Sequence, residues 1–258
     1  MNKKAILDYI VAWLKDYASK ANMEGFIVGV SGGVDSALTA TLCAMTGKKT
    51  MLLNLPIRQK KEEFFRSKNQ IEALEKRFSN AKGLEVDLGA SFQQLEKDLP
   101  AHTVQDGLAM ANTRSRLRML TLYAIGQSNR LLVAGTGNKV EDFGVGFFTK
   151  YGDGGVDISP IADLLKSQVF ALAEQAGVNQ EILEAQPTDG LWDDARNDED
   201  QIGASYDELE WAMGFTGDVN TLRKRQKEVL QIYQNFHQAN KHKMIPIPVC
   251  EVPKDYFN

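Results

Sequence analysis

Cysteine is scarce in this 258-residue chain, which has only two. Cys43 and Cys250 lie far apart and form no C-x-x-C pair, which excludes the common zinc-finger and thiol-redox spacings and favours buried structural thiols. No apolar run approaches the roughly 20 residues of a membrane span. Asp8 and Lys15 interrupt the apolar stretch that a signal peptide needs. The sequence therefore predicts a protein of the reducing cytoplasm.

A basic excess is also missing, because 30 Lys and Arg residues stand against 34 Asp and Glu, for a net charge of −4. Binding to nucleic acid depends on basic surface, so we expect neither a nucleic-acid nor a membrane partner. The 43% hydrophobic and 25% charged composition is ordinary for a globular protein. The length suits one large α/β domain or two small ones.

Apolar runs alternate with amphipathic helical patterns along the chain, which predicts an α/β fold: a doubly wound, mostly parallel sheet flanked by helices. The predicted strands are 26–30, 50–55, 84–88 and 131–134. The predicted helices are 5–21, 37–45, 61–78, 91–99, 105–129, 163–176, 206–213 and 222–239, with Asp163 as N-cap and Gly177 as C-cap of the sixth. The glycine-rich loop 139–160 is long enough to be functional, the acidic segment 187–203 is interpreted as a mobile flap, and the proline-rich tail is expected to be extended.

One stretch, F-I-V-G-V-S-G-G-V-D-S-A at 26–37, predicts a buried strand, a tight glycine turn and a helix start. Such a turn forms a nest of backbone N–H groups at a helix N-terminus, where a phosphate binds well. The candidate phosphate-binding residues are Gly29, Val30, Ser31, Gly32, Gly33, Val34, Asp35 and Ser36. The spacing is neither the Walker P-loop nor the Rossmann fingerprint, and a glycine-rich turn without a ligand has the same pattern. Asp35 would repel a phosphate unless a cation lay between them, which implies Mg²⁺.

Residues 31–36, S-G-G-V-D-S, resemble the pyrophosphate loop of the N-type ATP pyrophosphatases. Further stretches are similar to the ammonia-dependent NAD synthetases: G-F-F-T-K-Y-G-D-G-G-V-D at 146–157, G-T-G-N at 135, N-T-R-S-R-L-R-M at 112, Q-P-T at 186 and H-K at 242. The resemblance implies an adenine-nucleotide alpha-hydrolase-like fold and one domain over 1–258 without a glutaminase domain. It also implies a ligase that converts deamido-NAD, ATP and ammonia into NAD, AMP and diphosphate. A homodimer is expected, with the helix from Gln105 as its interface.

The same resemblance implies the roles of individual residues. Asp35 and Lys166 are expected to be catalytic, and Asp35 and Glu141 to bind Mg²⁺. The family pattern has one residue fewer before F-F-T-K, so Asp142 remains an alternative second metal ligand. The expected ATP site consists of the loop residues 29–36 together with Arg58, Thr136, Lys166 and Thr188. The expected deamido-NAD contacts are Arg116, Lys150, Asp157, His242 and Lys243, although a solvated basic helix face would explain Arg116 equally well.

Two other functions compete with this interpretation. Another N-type ATP pyrophosphatase, such as a GMP synthetase core, shares the loop at Ser31 but does not explain the stretch 146–157. A non-catalytic ATP sensor would bind ATP without forming AMP, and it would have little use for two acids at a metal-bound phosphate.

Overall fold

The computed structural model describes residues 1–188, 191 and 197–257. At its centre lies a four-stranded sheet in the order β3-β2-β1-β4, in which every pairing is parallel. The strands are β1 (Gly25–Gly29), β2 (Lys49–Asn54), β3 (Ala81–Glu85) and β4 (Leu131–Val133). The predicted α/β fold class is confirmed.

Helices connect the strands and cover both faces of the sheet. Those within the described residues are α1 (Lys3–Lys20), α2 (Val34–Met45), α3 (Lys61–Arg77), α4 (Gly89–Asp98), α5 (Ala101–Val104), α6 (Gly107–Asn129), α7 (Lys166–Ala176), α8 (Gln180–Leu183), α9 (Asp198–Ile202), α10 (Tyr206–Gly214) and α11 (Lys224–Met244). A π-helical turn spans Val140–Val145, and 3₁₀ turns span Val219–Thr221 and Lys254–Phe257.

The strand order places a topological switch point at β1. The chain runs from β1 to β2 and β3 on one side, then returns to pair β4 on the other side, with Ile27 opposite both Met51 and Val133. In sheets of this kind ligands bind beyond the carboxyl ends of the strands at that point. The loops after β1 and β4 therefore meet where a ligand is expected.

Three apolar clusters hold the elements together. On one face of the sheet, Phe26 and Val28 pack against α1, α2 and α7 through residues such as Leu38 and Leu172. On the other face, Ile27 packs against α4 and α6. The third cluster joins the π-helical turn to α9, α10 and α11. The clusters fix the two faces from which the site residues project.

Among the boundaries that differ from the sequence prediction, three have a clear physical reason. Strand β3 begins at Ala81 instead of residue 84, because Ala81 pairs with Thr50 while Leu84 is exposed. Helix α7 begins at Lys166, and Asp163 pairs with Lys139 instead of capping it; Gly177 does end the helix, with φ +77°. The predicted helix 105–129 begins at Gly107, because the Asp106 side chain accepts a hydrogen bond from the amide of Ala109.

Within the described residues, no helix has both the length and the apolarity required to cross a lipid bilayer. Residues 189–190 and 192–196 of the predicted flap lie outside the described residues. Its last part is ordered as α9, whose Asp198 and Ile202 are buried.

Candidate active site

The predicted nest lies in the turn after β1, which joins the buried strand to the start of α2. Gly32 has φ +91°, and a Cβ at this position would lie 2.7 Å from the carbonyl oxygen of Glu63, so glycine is required for both backbone conformation and space. The Ser31 amide donates to Ser36 Oγ (3.1 Å), and Ser36 Oγ donates to the Gly33 carbonyl (2.9 Å). Helix α2 begins directly afterwards with no side-chain cap, so its first amides face the cleft.

The loop after β4 reaches the nest through one buried side chain. Asn138 donates from Nδ2 to Asp35 Oδ1 (3.0 Å), while its Oδ1 accepts the amides of Val140 and Glu141. These two amides open the π-helical turn Val140–Val145. π-helical turns are rare and are frequently found at functional sites. This turn directs Glu141 into the cleft.

Asp35 and Glu141 share one cation. The Nζ atom of Lys166, the first residue of α7, lies 2.6 Å from Asp35 Oδ2 and 2.9 Å from Glu141 Oε1. Lys166 is only 3% exposed, so this contact is shielded from solvent. Three elements distant in sequence thus bring the two predicted metal ligands and the predicted catalytic lysine together.

Tyr206 contacts Glu141 and Lys166 of this cluster. Its hydroxyl donates to Glu141 Oε1 (2.6 Å) and lies 3.3 Å from Asp198 Oδ2, and its ring centroid is 4.6 Å from Lys166 Nζ. Tyr206 is buried because α10 packs on the π-helical turn through the third apolar cluster. The hydroxyl fixes the orientation of the Glu141 carboxylate.

Burial and mutual charge set the protonation of the cluster. Burial lowers the pKa of Lys166, but Asp35 and Glu141 outweigh it and raise the net pKa, so the ammonium stays charged. Burial also acts to raise the pKa of Glu141, yet Lys166 and the Tyr206 hydroxyl bring it below its usual value. For Asp35 burial exceeds the influence of Lys166, and its pKa is raised. The site therefore favours a cation next to both carboxylates.

The donor set fits Mg²⁺. Two carboxylates already hold one cation between them, and hard oxygen ligands are those that Mg²⁺ prefers. The described residues contain no cluster of three or more potential metal ligands, so phosphate and water would complete the coordination. Asp142 instead lies against Gly137 and does not line the cleft, and burial followed by the charge of Glu141 raises its pKa well above the usual value.

A second pocket opens beside α6 and gathers three of the predicted substrate cations. Arg116, Lys150 and Lys243 line it, and no carboxylate is among its described lining residues. Arg116 donates to the Lys150 carbonyl (3.1 Å), and Lys243 donates to the Phe148 carbonyl (2.8 Å) with its ammonium 4.8 Å from the Phe148 ring centroid. The pocket thus offers positive charge and aromatic surface to an anionic ligand with a flat ring.

The two cavities meet at Met119 and Val156, which line both. Asp153 faces the cleft near this junction and is held by Ser115 Oγ (2.6 Å) and the Thr149 amide (3.0 Å). A phosphate held at the nest and an anion held by the three cations would therefore come close together at the junction.

The other predicted site residues differ in whether they line a cavity. Thr136 and Thr188 line the cleft with the nest, whereas Val34 is buried in α2. Asp157 accepts a hydrogen bond from the Tyr123 hydroxyl (3.0 Å) at the edge of the second pocket. The His242 ring hydrogen-bonds to the Ala239 carbonyl. The backbone carbonyl of His242 accepts a hydrogen bond from Lys150 Nζ.

Arg58, which is expected to contact ATP, is not among the described residues that line the cleft. Its guanidinium binds both oxygens of Glu96 and lies 5.4 Å from the Phe92 ring centroid. The backbone at Arg58 has φ +53°, which turns the side chain towards α4.

Sequence reasoning missed Asn138, Asp198, Tyr206 and Arg66, all of which lie in or against the cleft. Asn138 follows G-T-G directly, so its place after a buried strand was a usable signal. From the sequence, Tyr206 is recognisable only as the first residue of a helix that follows the capping residue Ser205. Its role depends on how α10 packs, which local sequence does not contain.

Comparison with known proteins agrees with this geometry. The family model described as NAD synthase matches residues 6–246. An NH₃-dependent NAD⁺ synthetase of Mesoplasma florum is 35% identical over 246 residues, which cover 94% of this chain and 95% of the relative.

Two solved structures show a similar fold over nearly the whole chain. An NMN synthetase from Francisella tularensis superposes with a TM-score of 0.85 at 30% identity, covering 98% of this chain and 99% of the other. An NH₃-dependent NAD synthetase from Campylobacter jejuni superposes with a TM-score of 0.77 at 23% identity, covering 97% and 100%.

Proposed function

Since the chain belongs to the NAD synthase family, we propose that it is an ammonia-dependent NAD synthetase. It adenylates the nicotinate carboxylate of deamido-NAD with ATP and then amidates it, giving NAD, AMP and diphosphate. The observation that carries the proposal is that Met119 and Val156 line both the cleft with the 31–36 turn and the cationic pocket. Neither cavity alone would account for a reaction between ATP and a second anionic substrate.

The first step is attack by a carboxylate oxygen on the α-phosphorus of ATP. The bond from the α-phosphorus to the bridging oxygen breaks, and its electron pair leaves with diphosphate towards the nest at Ser31–Ser36. Backbone amides, hydroxyls and Lys166 supply positive potential where this charge develops. Mg²⁺ bound by Asp35 and Glu141 would offset further charge on the phosphates.

In the second step ammonia attacks the activated carbonyl carbon, and AMP leaves with the electron pair of the acyl–oxygen bond. The proton that nitrogen loses passes to a base or to solvent. No protein nucleophile takes part, so the contribution of the chain is positioning and charge stabilisation. The cationic pocket holds the pyridine nucleotide through Arg116, Lys150 and Lys243.

A second candidate substrate is the mononucleotide of nicotinate. The F. tularensis relative named NMN synthetase superposes with a higher TM-score than the C. jejuni NAD synthetase, 0.85 against 0.77. Three cations could hold one phosphate as well as a diphosphate. The 35% identical relative from M. florum is named for NAD formation, and deamido-NAD therefore stays the first choice.

The test is a competition assay with purified protein, ATP, MgCl₂ and equal concentrations of deamido-NAD and nicotinate mononucleotide. Ammonium and glutamine serve as alternative nitrogen donors, and the products are separated by chromatography. The proposal expects NAD to form faster than nicotinamide mononucleotide, with ammonium as the effective donor. Faster formation of nicotinamide mononucleotide than of NAD would make nicotinate mononucleotide the preferred substrate.

The same proposal includes a cytoplasmic homodimer. Both cysteines are free thiols; Cys43 is buried as expected, but Cys250 is exposed, contrary to the prediction of two buried thiols. Helix α6 exposes large apolar side chains, Leu108 at 60% and Leu120 at 64%, which a second copy of the chain would cover. Sedimentation equilibrium of the wild-type chain and of a variant with both leucines changed to Ser tests this interface.

A further inference from the structure

We propose that Arg66 binds the outer phosphates of ATP and the diphosphate formed from them, an assignment that rests on the proposed function. Arg66 lies in the first half of α3 and lines the cleft together with Ser31, Gly32 and Ser36. No sequence motif pointed to it, because it follows the aromatic pair Phe64 and Phe65 on an ordinary amphipathic helix.

The side chain is anchored against the nest. Arg66 Nε donates to the Gly32 carbonyl (3.2 Å), and a Cβ built on Gly32 would lie 3.2 Å from Arg66 Cβ. Ser67 fixes the same turn of α3 by donating from Oγ to the Val30 carbonyl (2.6 Å). The arginine stem is therefore held against the backbone that is expected to bind phosphate.

The anchor uses only one of the three guanidinium nitrogens. Within the part of the chain that the structure describes, Arg66 forms no ion pair and hydrogen-bonds only through Nε. Both Nη groups thus remain able to donate, in a planar arrangement that matches two phosphate oxygens. Lys166 differs, because two carboxylates already share its ammonium.

The charge of the cleft shows why a second cation is needed. Among the residues that the structure describes, five acids line the cleft, Asp35, Glu63, Glu141, Asp153 and Asp198, against three cations, Arg66, Arg118 and Lys166. Arg66 contacts the backbone of the glycine turn through the Gly32 carbonyl, whereas Lys166 contacts the side chain of Asp35. Arg66 would therefore stabilise the negative charge that develops on diphosphate as it leaves.

The experiment compares Arg66→Gln with Lys68→Gln, which makes the same charge change at an exposed position of the same helix. Calorimetric titration measures binding of ATP, inorganic diphosphate and AMP in the presence of Mg²⁺ and without the second substrate. Losing charge-assisted hydrogen bonds should weaken ATP and diphosphate binding in Arg66→Gln by about 10- to 100-fold. AMP, which lacks the outer phosphates, should bind all variants equally, and Lys68→Gln should match the wild type.

Arg66→Lys separates phosphate binding from a purely structural role. It keeps the charge but loses the fork geometry, and should give an intermediate loss for ATP and diphosphate at unchanged AMP affinity. Equal affinity of wild type and Arg66→Gln for diphosphate would overturn the assignment, and so would a parallel loss of AMP binding. A wild-type protein that binds neither ATP nor diphosphate would instead overturn the proposed function itself.

Discussion

The ammonium of Lys166 and the carboxylate of Asp35 are 131 positions apart in the chain and 2.6 Å apart in the fold. The carboxylate follows the strand at the centre of the sheet, and the ammonium begins α7, which packs on α2. Glu141 completes the pair from the loop after β4. One buried cation thus joins both sides of the topological switch point, and the first predictions concern it.

Lys166→Met should destabilise the fold by about 3–5 kcal/mol, because two buried carboxylates lose their shared cation. Urea unfolding measures the loss of stability, with Lys139→Met as the control. Lys139 pairs with the Asp163 side chain, which is 96% exposed, so this surface ion pair should contribute only about 0–1 kcal/mol to stability. Millimolar Mg²⁺ should recover more stability in Lys166→Met than in the wild type. Equal stability of the two methionine variants would contradict this account.

Tyr206→Phe should lower the free energy of unfolding by about 1.5–3 kcal/mol, because it removes a hydrogen bond to the charged Glu141 carboxylate. The ring keeps its contact with Lys166. The Mg²⁺ concentration for half-maximal activity should rise, because Glu141 loses the group that orients it. Tyr233→Phe is the matched control: Tyr233 is half-buried on α11, and its ring packs near His237. If both phenylalanine variants behave alike, Tyr206 does not orient Glu141.

Glu141→Gln should lower kcat by about 100-fold or more, the scale for a lost electrostatic stabiliser, and Asp35→Ala should do the same. Asp142→Asn changes the neighbouring acid, which does not line the cleft, and should keep most of the turnover. Binding of Mn²⁺, followed by electron paramagnetic resonance, should weaken in the first two variants only. The reverse pattern would make Asp142 the second metal ligand.

Local patterns were enough to predict the centre of the site. The strand, glycine turn and helix start at 26–37 lie where the sequence indicated, because buried strands and glycine turns are encoded by adjacent residues. The Glu141 carboxylate lies in the same cleft as Asp35, where the resemblance implied it, and both contact Lys166. The π-helical turn that makes this possible has no comparable signature in V-E-D-F-G-V.

Long-range packing decided the rest. The strand end before Arg58 predicts an ATP contact, whereas its contact with Glu96 on α4 and its left-handed backbone depend on tertiary structure. Asp163 resembled an N-cap, yet a surface lysine pairs with it and α7 begins three residues later. Tyr206 and Arg66 reach the cleft only through the packing of α10 and α3, so their roles require tertiary structure.

Affinity for deamido-NAD should fall at alkaline pH. Burial lowers the pKa of Lys243, against a smaller opposing influence of Asp153. A lysine with a lowered pKa is fully charged well below that pKa and loses its charge as the pH rises through it. The dissociation constant, measured calorimetrically from pH 7 upwards, should therefore increase for the wild type.

Lys243→Arg provides the comparison, because arginine stays charged throughout this range. Its dissociation constant for deamido-NAD should change less with pH than that of the wild type. Parallel pH profiles for the two proteins would show that Lys243 does not hold the anionic substrate.

Transfer of oxygen from the nicotinate carboxylate to AMP tests the adenylation mechanism most directly. Deamido-NAD labelled with ¹⁸O in that carboxylate is incubated with ATP, Mg²⁺, ammonium and the protein, and the products are analysed by ³¹P NMR. The mechanism predicts one ¹⁸O atom in the phosphate of AMP and none in diphosphate. Formation of ADP with labelled inorganic phosphate, or unlabelled AMP, would contradict it.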